Sequence, residues 1–336
     1  MPKIVLIGAG RMGHRFSQAI RQSGHELTMI FDPSETPWGV SAEPGLAAVH
    51  TRNFEDVLAS DAEAYAICTT ADLHVSTAAK LIKAGKKRLI VEKPVSQSVQ
   101  EAIDLRALAH ANGARIIVNH GRRYSANTQA IKDLDGDPRT GALRSVVIKM
   151  GGGSFGCVGT HWIDLCNNLF DGTPKRVFGV LSYDTPPDNR GAKFFDPGGT
   201  ALLMYAGGKR AVLDLGDDIG IVASTEFIFE KGIVAWTSEG KTWSFRHRRP
   251  EDQDKSLTLY TLPLVDTPFE TSPPDLIAYA IATIEDVFAS APTQSGMDQA
   301  IDTMEAFAAI HYAAREQRSV SLPLPDEEKK VVYAIP

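Results

Sequence analysis

The sequence contains little cysteine, no long apolar run and no excess of positive charge. Its three cysteines, Cys68, Cys157 and Cys166, are an odd number without the spacing of a disulfide framework or a zinc site. The scattered histidines also lack ligand spacing, so the sequence predicts no metal centre. We expect reduced thiols and therefore a cytoplasmic protein.

Hydropathy, net charge and length also limit the possible partners and the number of domains. The apolar stretch at the amino terminus is too short for a signal peptide, and no later stretch is long enough to span a bilayer. The net charge of −6 argues against nucleic acid or an anionic membrane as a partner. A chain of 336 residues is long enough for about two domains with full cores.

The most informative stretch is a glycine-rich turn between two apolar runs near the amino terminus. A β-branched run at 4–7 leads into Gly-Ala-Gly-Arg-Met-Gly at 8–13, a helix-like segment follows, and an apolar run at 27–31 ends at Asp32. A bare Gly-x-Gly-x-x-Gly pattern is weak, because glycine turns are common. The preceding strand, the following helix and the acidic residue make it a dinucleotide-binding motif.

Each residue of the turn has a mechanical role in that motif. Gly8 permits the tight turn out of the strand, Gly10 lacks the Cβ that would block a diphosphate, and Gly13 lets the helix pack closely on the sheet. The N–H groups and the positive dipole end at the start of the helix, at Arg11 and Met12, would bind the phosphates.

Asp32 bears on the choice of cofactor. Its carboxylate can accept hydrogen bonds from both ribose hydroxyls of the adenosine half, and its charge would repel a 2′-phosphate. The motif therefore predicts NAD as the cofactor in preference to NADP.

The first 120 residues alternate apolar strands with helices, which predicts a doubly wound parallel sheet of the Rossmann type. After the opening unit, strands are predicted at 64–68, 89–92 and 115–119, and helices at 54–60, 74–84 and 99–112. Ligands of such sheets bind at the carboxyl ends of the strands. The residues at strand ends that should converge on one crevice are Gly8, Asp32, Thr69 and Lys93.

After residue 120 the pattern changes to strand-like runs separated by glycine-rich turns. It predicts an α+β domain with an open, mostly antiparallel sheet, and hence two domains, 1–120 and 121–336. One face of that sheet needs cover from helices or from a second copy of the protein. Helical periodicity returns at 275–289 and 297–315, and we expect these helices to pack back towards the first domain. A long Pro/Gly-rich loop at 185–199 is of a kind that often carries function.

A lysine at the end of a buried strand is the first candidate for chemistry. The segment Val-Glu-Lys-Pro at 91–94 ends an apolar run, and Lys93 would face the nicotinamide half of a bound dinucleotide. A partly desolvated lysine has a lowered pKa and can exchange a proton with a substrate hydroxyl. The alternative is a solvated lysine paired with Glu92.

The second candidate is the segment Gly-Thr-His-Trp-Ile-Asp-Leu at 159–165. Thr160 is predicted to cap a helix on which His161 and Asp164 share one face at i, i+3 spacing. The imidazole could serve as the general acid/base, and the carboxylate could bind substrate hydroxyls. The alternative is a helix-surface histidine and aspartate without a special function.

Together these segments resemble the Gfo/Idh/MocA oxidoreductase family, which includes glucose–fructose oxidoreductase and inositol dehydrogenase. The similarity covers nearly the whole chain. It rests on GAGRMG at 8–13, CTTADLH at 68–74, AGKKRLIVEKPVS at 84–96, GRRY at 121–124, GTHWIDL at 159–165 and SVSLPL at 319–324. The resemblance implies an N-terminal Rossmann domain and a C-terminal open sheet that packs face to face in a homodimer or homotetramer.

The resemblance also implies roles for individual residues. Lys93 corresponds to the family's Glu-Lys-Pro lysine and His161 to its His-x-x-Asp histidine, and the Lys93–Pro94 bond is expected to be cis. The further residues implied beside the cofactor are Thr69, Thr70, His74 and Glu92. The residues expected around the substrate are Thr160, Asp164, Arg122 and Tyr124, together with Arg123 and the 185–199 loop.

One position departs from the family pattern. Many members carry an aspartate four residues before the histidine, where it orients the imidazole, whereas this sequence has Cys157. A thiol cannot act as a fixed carboxylate. We therefore expect His161 to have a different partner or a reduced role, and Lys93 to carry more of the acid/base work.

These observations predict an NAD-dependent dehydrogenase or reductase that transfers a hydride between nicotinamide and a carbinol carbon. Its partner would be a small polyhydroxy substrate: a sugar, a cyclitol or a nucleotide sugar. Two alternatives stay open. One is a redox-neutral enzyme that keeps NAD bound while it oxidises and re-reduces its substrate, as some relatives do in glycoside cleavage. The other is a non-catalytic NAD-binding sensor or assembly protein.

Overall fold

A computed structural model of the chain describes residues 1–184, 190–237, 242–259 and 261–336. The chain forms two compact units. The first comprises Met1–Tyr124, Asp275–Met304 and Lys330–Pro336, and the second comprises Ser125–Pro274 and Glu305–Lys329. Of the loop predicted at 185–199, residues 185–189 lie outside the described residues.

A six-stranded parallel sheet forms the centre of the first unit. Its strands are β1 Lys3–Ile7, β2 Glu26–Phe31, β3 His50–Thr51, β4 Ala64–Ile67, β5 Arg88–Val91 and β6 Arg115–Val118, in the order β3-β2-β1-β4-β5-β6. The helices between them are α1 Arg11–Gln22, α2 Trp38–Ala42, α3 Phe54–Ala59, α4 Ala71–Lys83 and α5 Val99–Ala111. This strand order is that of a doubly wound sheet, so the predicted Rossmann fold is confirmed.

Burial explains the composition of this sheet and its helices. All residues of β4 are buried, as expected for a parallel strand covered on both faces. In α1, the apolar face of Phe16, Ala19 and Ile20 is buried in the core beside β1 and β4. α5 begins with a capping box, in which the side chains of Ser98 and Glu101 each accept a hydrogen bond from the other residue's N–H group.

A helix from late in the sequence completes the core of the first unit. α8 Leu276–Phe288 begins at Asp275, whose carboxylate accepts hydrogen bonds from two N–H groups of the first turn. Its residues Ala280, Ile284 and Val287 are buried in the same apolar core as the inner faces of α1 and β1. The first unit therefore combines the first 124 residues with a segment that begins at residue 275.

A nine-stranded sheet forms the second unit within the described residues. Its strands are β7 Leu143–Gly151, β8 Arg176–Leu181, β9 Gly199–Met204, β10 Arg210–Gly216, β11 Ser224–Phe229, β12 Gly232–Thr237, β13 Thr242–Arg248, β14 Leu264–Thr267 and β15 Val320–Ser321, in the order β14-β13-β12-β11-β7-β10-β9-β8-β15. Among these strands only β7 and β10 pair in parallel, which confirms the predicted open, mostly antiparallel sheet. The remaining helices are α6 Ala126–Asp133, α7 Thr160–Leu169, α9 Met297–Glu316, which continues from the first unit into the second, and α10 Asp326–Lys329.

The two faces of this sheet differ at β8. A Cβ on Gly179 would lie 2.7 Å from the carbonyl oxygen of Ile310, so α9 lies directly against the inner face. On the opposite face, Phe178 and Val180 are 41% and 59% exposed. Phe178 pairs with Leu202 of β9, which extends the apolar surface across two strands. We call the face that carries Phe178, Val180 and Leu202 the outer face.

Candidate active site

The carboxyl ends of the parallel strands bring together the residues that the sequence places around a dinucleotide. Gly8 follows β1, Asp32 follows β2, Thr69 lies just beyond β4, and Lys93 lies just beyond β5. Because these four strands are neighbours in a parallel sheet, their carboxyl ends share one edge. The convergence predicted from sequence order is confirmed.

The turn between β1 and α1 needs glycine at its positions for different reasons. Gly8 has a φ of +95°, and a Cβ there would lie 2.7 Å from the carbonyl oxygen of Cys68. A Cβ on Gly13 would overlap the carbonyl oxygen of Gly8. A Cβ on Gly10 would meet no described atom within 4 Å. The turn therefore leaves an open space beside Gly10, of the kind that a diphosphate needs.

The amino end of α1 suits an anion. Gly10 is the N-cap and offers no side chain to the first turn, which contains no acidic residue. The N–H groups at the start of a helix have no partner within the helix, and the dipole places a partial positive charge there. Arg11 and Met12 supply two of these N–H groups, so this end of α1 can hold a diphosphate.

Asp32 is fixed beside the turn. One carboxylate oxygen accepts a hydrogen bond of 2.8 Å from the N–H of Ala9, and the other accepts one of 2.9 Å from the N–H of Ser34. Each carboxylate oxygen has a second lone pair, so both can still accept from the two hydroxyls of a ribose. The space beside Gly10 and this oriented carboxylate fit a bound dinucleotide.

His74 connects the loops that follow β4 and β5. Its ring is buried, and its two nitrogens lie 2.8 Å from the carbonyl oxygen of Pro94 and 3.0 Å from that of Thr69. Burial lowers the pKa of His74. A neutral imidazole carries one N–H group, so His74 donates to either the carbonyl oxygen of Pro94 or that of Thr69, and its ring packs between the two loops. The hydroxyl of the neighbouring Thr70 donates a 2.6 Å hydrogen bond to the carboxylate of Asp72, near the start of α4.

Lys93 follows a buried carboxylate. Glu92 is 4% exposed, and its carboxylate accepts a 2.6 Å hydrogen bond from the amide of Asn119 and a 3.3 Å one from the N–H of Lys93. Burial raises the pKa of Glu92. The hydroxyl of Thr283 in α8 lies 3.1 Å from Oδ1 of Asn119 and 2.8 Å from the carbonyl oxygen of Tyr279, and it can donate to either. Lys93 itself is half-buried, and the Lys93–Pro94 bond is cis, which confirms that expectation.

Asn119 and Thr283 were missed by reasoning from the sequence. Asn119 ends the strand predicted at 115–119, and a polar residue at the carboxyl end of a buried strand was a usable signal. Thr283 gave none, because it lies 164 positions from its partner in the sequence.

The short helix Gly121–Tyr124 after β6 carries three residues expected around the substrate, Arg122, Arg123 and Tyr124. The hydroxyl of Tyr124 donates a 2.6 Å hydrogen bond to Asp286, whose other carboxylate oxygen accepts one of 2.8 Å from Arg115. Tyr124 therefore braces α8 against β6, and its contact with substrate stays a prediction. Burial lowers the pKa of Arg122 to about 10, which still leaves a cation at neutral pH.

In the second unit, the predicted cap at Thr160 is wrong. A π-helical turn, Phe155–Gly159, runs directly into α7, so the helical segment starts six residues earlier than the sequence indicated. The hydroxyl of Thr160 donates back to the carbonyl oxygen of Gly156 at 2.8 Å instead of accepting a hydrogen bond from the helix. Thr160 and Asp164 have no exposed surface in this unit, and their contact with substrate stays a prediction.

Asp196 performs the capping role, and reasoning from the sequence missed it. Its carboxylate accepts hydrogen bonds of 2.7 Å from the N–H groups of both Gly156 and Cys157, and it also accepts one from the hydroxyl of Ser154. The thiol of Cys157 accepts a hydrogen bond of 3.2 Å from Arg190. Asp196, from the 185–199 loop, thus holds the backbone at position 157. The proline and glycine content of that loop was the available signal.

His161 lies in the first turn of α7 and is half-buried. It belongs to the second unit, whereas Lys93 belongs to the first. Within the described residues, no group of histidine, cysteine, aspartate and glutamate side chains could hold a metal ion.

Comparison with known families decides the membership of the chain. Residues 2–120 match the model of an oxidoreductase family with an NAD-binding Rossmann fold, GFO_IDH_MocA, and residues 111–235 match the GFO/IDH/MocA C-terminal domain. The chain belongs to the Gfo/Idh/MocA oxidoreductase family. The resemblance read from the sequence is confirmed.

Individual relatives are distant. The chain is 23% identical over 222 residues to inositol 2-dehydrogenase of Rhizobium meliloti (strain 1021), a match that covers 62% of this chain and 66% of that protein. It is 29% identical over 138 residues to 1,5-anhydro-D-fructose reductase of Ensifer adhaerens, covering 40% of this chain and 41% of that protein. The matched region thus spans less than two thirds of either relative.

Among solved structures, the WlbA dehydrogenase from Bordetella pertussis, crystallised with NADH and UDP-GlcNAcA, has the same fold. The two superimpose with a TM-score of 0.74 at 20% identity, over 96% of this chain and 99% of that one. In the part of our chain that the structure describes, no helix is both long and apolar enough to cross a membrane.

Proposed function

We propose that this protein is an NAD-dependent oxidoreductase that acts on a carbinol carbon of a polyhydroxy compound, such as a sugar, a cyclitol or a nucleotide sugar. The observation that carries the proposal is the open space beside Gly10, at the uncapped start of α1 and next to the oriented carboxylate of Asp32. The substrates named for the relatives, an inositol, an anhydrofructose and a nucleotide-linked sugar acid, share this polyhydroxy character.

The cofactor would be held by the first unit. Arg11 and Met12 would donate N–H groups to the diphosphate, and Asp32 would accept hydrogen bonds from the adenosine ribose. The charge of Asp32 disfavours a 2′-phosphate, which is why we propose NAD and not NADP. When bound, NAD supplies the hydride acceptor, and in its reduced form the hydride donor.

The protein's part in the reaction is to orient the substrate and to move one proton. We assign that proton to the Nζ of Lys93, which would take it from the substrate hydroxyl during oxidation and return it during reduction. His161 is a second candidate for proton transfer, and Arg122 is the candidate cation for a negatively charged substrate group.

The assembly proposed for the protein uses the outer face of the second unit. Phe178 and Val180 are exposed apolar side chains on β8, the strand next to the short edge strand β15, and a second copy would remove them from water. We propose a homodimer or a homotetramer formed through this face. A cytoplasmic location is proposed from the free cysteines, of which Cys68 and Cys166 are buried thiols.

The test starts with protein stripped of bound nucleotide. Calorimetry should show binding of NAD, with NADP at least tenfold weaker, and a panel of polyols and sugar nucleotides should give net reduction of NAD. Lys93→Met should abolish turnover while NAD still binds. Binding of NAD without turnover of any substrate would favour a sensor. Single-turnover absorbance changes without net NADH would favour a redox-neutral enzyme.

A further inference from the structure

An exposed tryptophan lies next to the glycine-rich turn. Trp38 is 50% exposed and is the first residue of α2. The N–H of Gly39 donates a 2.7 Å hydrogen bond to the carbonyl oxygen of Ala9, which fixes α2 against the turn. A Cβ on Gly39 would lie 2.8 Å from that oxygen and 3.2 Å from the Cβ of His14. Glycine is therefore needed for α2 to approach this closely.

The indole ring contacts the beginning of α1. The guanidinium carbon of Arg11 lies 5.9 Å from the centre of the indole ring. The ring of His14 meets the indole edge-on, with centres 5.5 Å apart and planes at 88°. His14 is itself held by Glu43, at 3.3 Å. Trp38 is thus fixed by two side chains of α1, although half of its surface remains open to solvent.

We propose that Trp38 lines the adenosine half of the dinucleotide site and that the adenine ring packs on the exposed part of the indole. This inference rests on the proposed function, since it takes NAD as the ligand. Asp32 would bind the adenosine ribose, and the chain returns from Asp32 to the glycine turn at Trp38. The flat, apolar face of a base stacks well on an aromatic side chain.

The placement of Arg11 supports the same assignment. Its backbone belongs to the end of α1 that would hold the diphosphate, and its guanidinium lies beside the indole. A cation on an aromatic ring is held by the charge distribution of that ring. The pair therefore offers a positive charge for the diphosphate and an apolar surface for the base next to it. Lys93 is assigned to the nicotinamide half, so a ligand without nicotinamide should depend on Trp38 as strongly as NAD does.

The experiment is calorimetry of NAD and of ADP-ribose, which lacks the nicotinamide, on the wild type, Trp38→Ala and Trp38→Phe. We expect Trp38→Ala to lower the affinity for both ligands by a similar factor of about 10, as for the loss of a base–aromatic stack. Trp38→Phe should retain most of the affinity. ADP-ribose should also quench the tryptophan fluorescence of the wild type, and Trp38→Phe should lose that quenching. Val332→Ala, which trims another exposed apolar side chain of the first unit, should leave both affinities unchanged.

The outcomes separate the two proposals. If the wild type binds neither ligand, the proposed function itself is wrong. If the wild type binds both and Trp38→Ala binds ADP-ribose equally well, only the inference about Trp38 is overturned. A last comparison uses the Arg11→Ala background. Persistence of the Trp38→Ala effect there supports direct contact with the base, whereas its disappearance means that Trp38 merely orients Arg11, which overturns the inference. Thermal unfolding of each variant verifies that it is folded.

Discussion

The side-chain amide of Asn119 donates a hydrogen bond of 2.6 Å to the buried carboxylate of Glu92, the residue immediately before Lys93. Thr283 lies on the other side of that amide: its Oγ1 is 3.1 Å from Oδ1 of Asn119 and 2.8 Å from the carbonyl oxygen of Tyr279, and its one proton is shared between these acceptors. A buried carboxylate is costly unless it is hydrogen-bonded. The environment of the proposed catalytic lysine thus extends to a residue of α8.

The raised pKa of Glu92 makes stability depend on pH. A carboxyl whose pKa is higher in the folded than in the unfolded state stabilises the fold when protonated, and this contribution is lost as the pH rises from about 4.5 through the folded-state pKa. Glu92→Gln removes this titration. The free energy of unfolding of Glu92→Gln relative to wild type should therefore increase from pH 4.5 to pH 7, by about 1.4 kcal/mol per unit of raised pKa. Urea unfolding of both proteins from pH 4.5 to pH 7 measures this difference in free energy of unfolding. A difference that does not change with pH would contradict the prediction.

Asn119→Ala should lower the free energy of unfolding by about 1–3 kcal/mol, because it leaves a buried carboxylate without its donor. Thr283→Val is the matched control. It keeps the hydrogen bond between Asn119 and Glu92, so its cost should be smaller, about 1 kcal/mol. Urea unfolding at neutral pH compares the two variants. If both variants lose the same free energy of unfolding, the hydrogen bond from Asn119 to Glu92 stabilises the protein no more than the contacts of Thr283 do.

Gly10 and Gly13 should respond to alanine in opposite ways. Gly13→Ala forces a methyl group into the carbonyl oxygen of Gly8, so the melting temperature should fall markedly. Gly10→Ala meets no described atom, so the protein should keep its wild-type melting temperature but lose at least tenfold in NAD affinity. Calorimetry and thermal unfolding on the same samples measure both effects. Normal NAD binding by folded Gly10→Ala would remove the central support for the proposed function.

Asp196→Ala should loosen the helical segment that carries His161. Loss of a capping carboxylate costs about 0.5–2 kcal/mol, and we expect turnover to fall with little change in KM for NAD. Asp196→Asn keeps one acceptor oxygen and should be affected less. Asp184→Ala, an exposed residue from the same connection, is the control. If Asp196→Ala matches Asp184→Ala in both the free energy of unfolding and the turnover number, the cap has no functional role.

The outer face gives a prediction about assembly. Phe178→Glu or Val180→Glu would place a charge in the proposed interface, so sedimentation velocity should show a smaller species than the wild type. Leu257→Glu, at a residue that is 52% exposed elsewhere in the second unit, should sediment like the wild type. A monomeric wild type would exclude the proposed dimer and tetramer.

Patterns that act over a few residues were enough to predict the parallel sheet of the first unit. The glycine turn, the following helix and Asp32 report steric demands within about thirty residues, and those demands are met in the structure. The cap at Thr160 was predicted by the same local logic and was wrong. There a carboxylate 40 positions away from Gly156 starts the helical segment earlier, and no local pattern announces a π-helical turn.

Distance along the sequence also hid two other contacts. Tyr124 was predicted to bind substrate, which stays a prediction, and its hydrogen bond to Asp286, 162 positions away, could not be predicted from the sequence. Trp38 follows Asp32 by only six positions. Its proposed contact with the adenine depends on the hydrogen bond between Gly39 and Ala9, which brings α2 back to the glycine turn. Such contacts arise from packing, and a single sequence carries little trace of them.

The position of α8 also has a consequence for synthesis. Ala280, Ile284 and Val287 fill the side of the core next to α1, and the ribosome makes them only after the whole of β7–β14. The first 124 residues therefore leave an apolar surface of this core uncovered while residues 125–288 are synthesised. Chaperone capture of truncated chains that stop before residue 275 should reveal that interval.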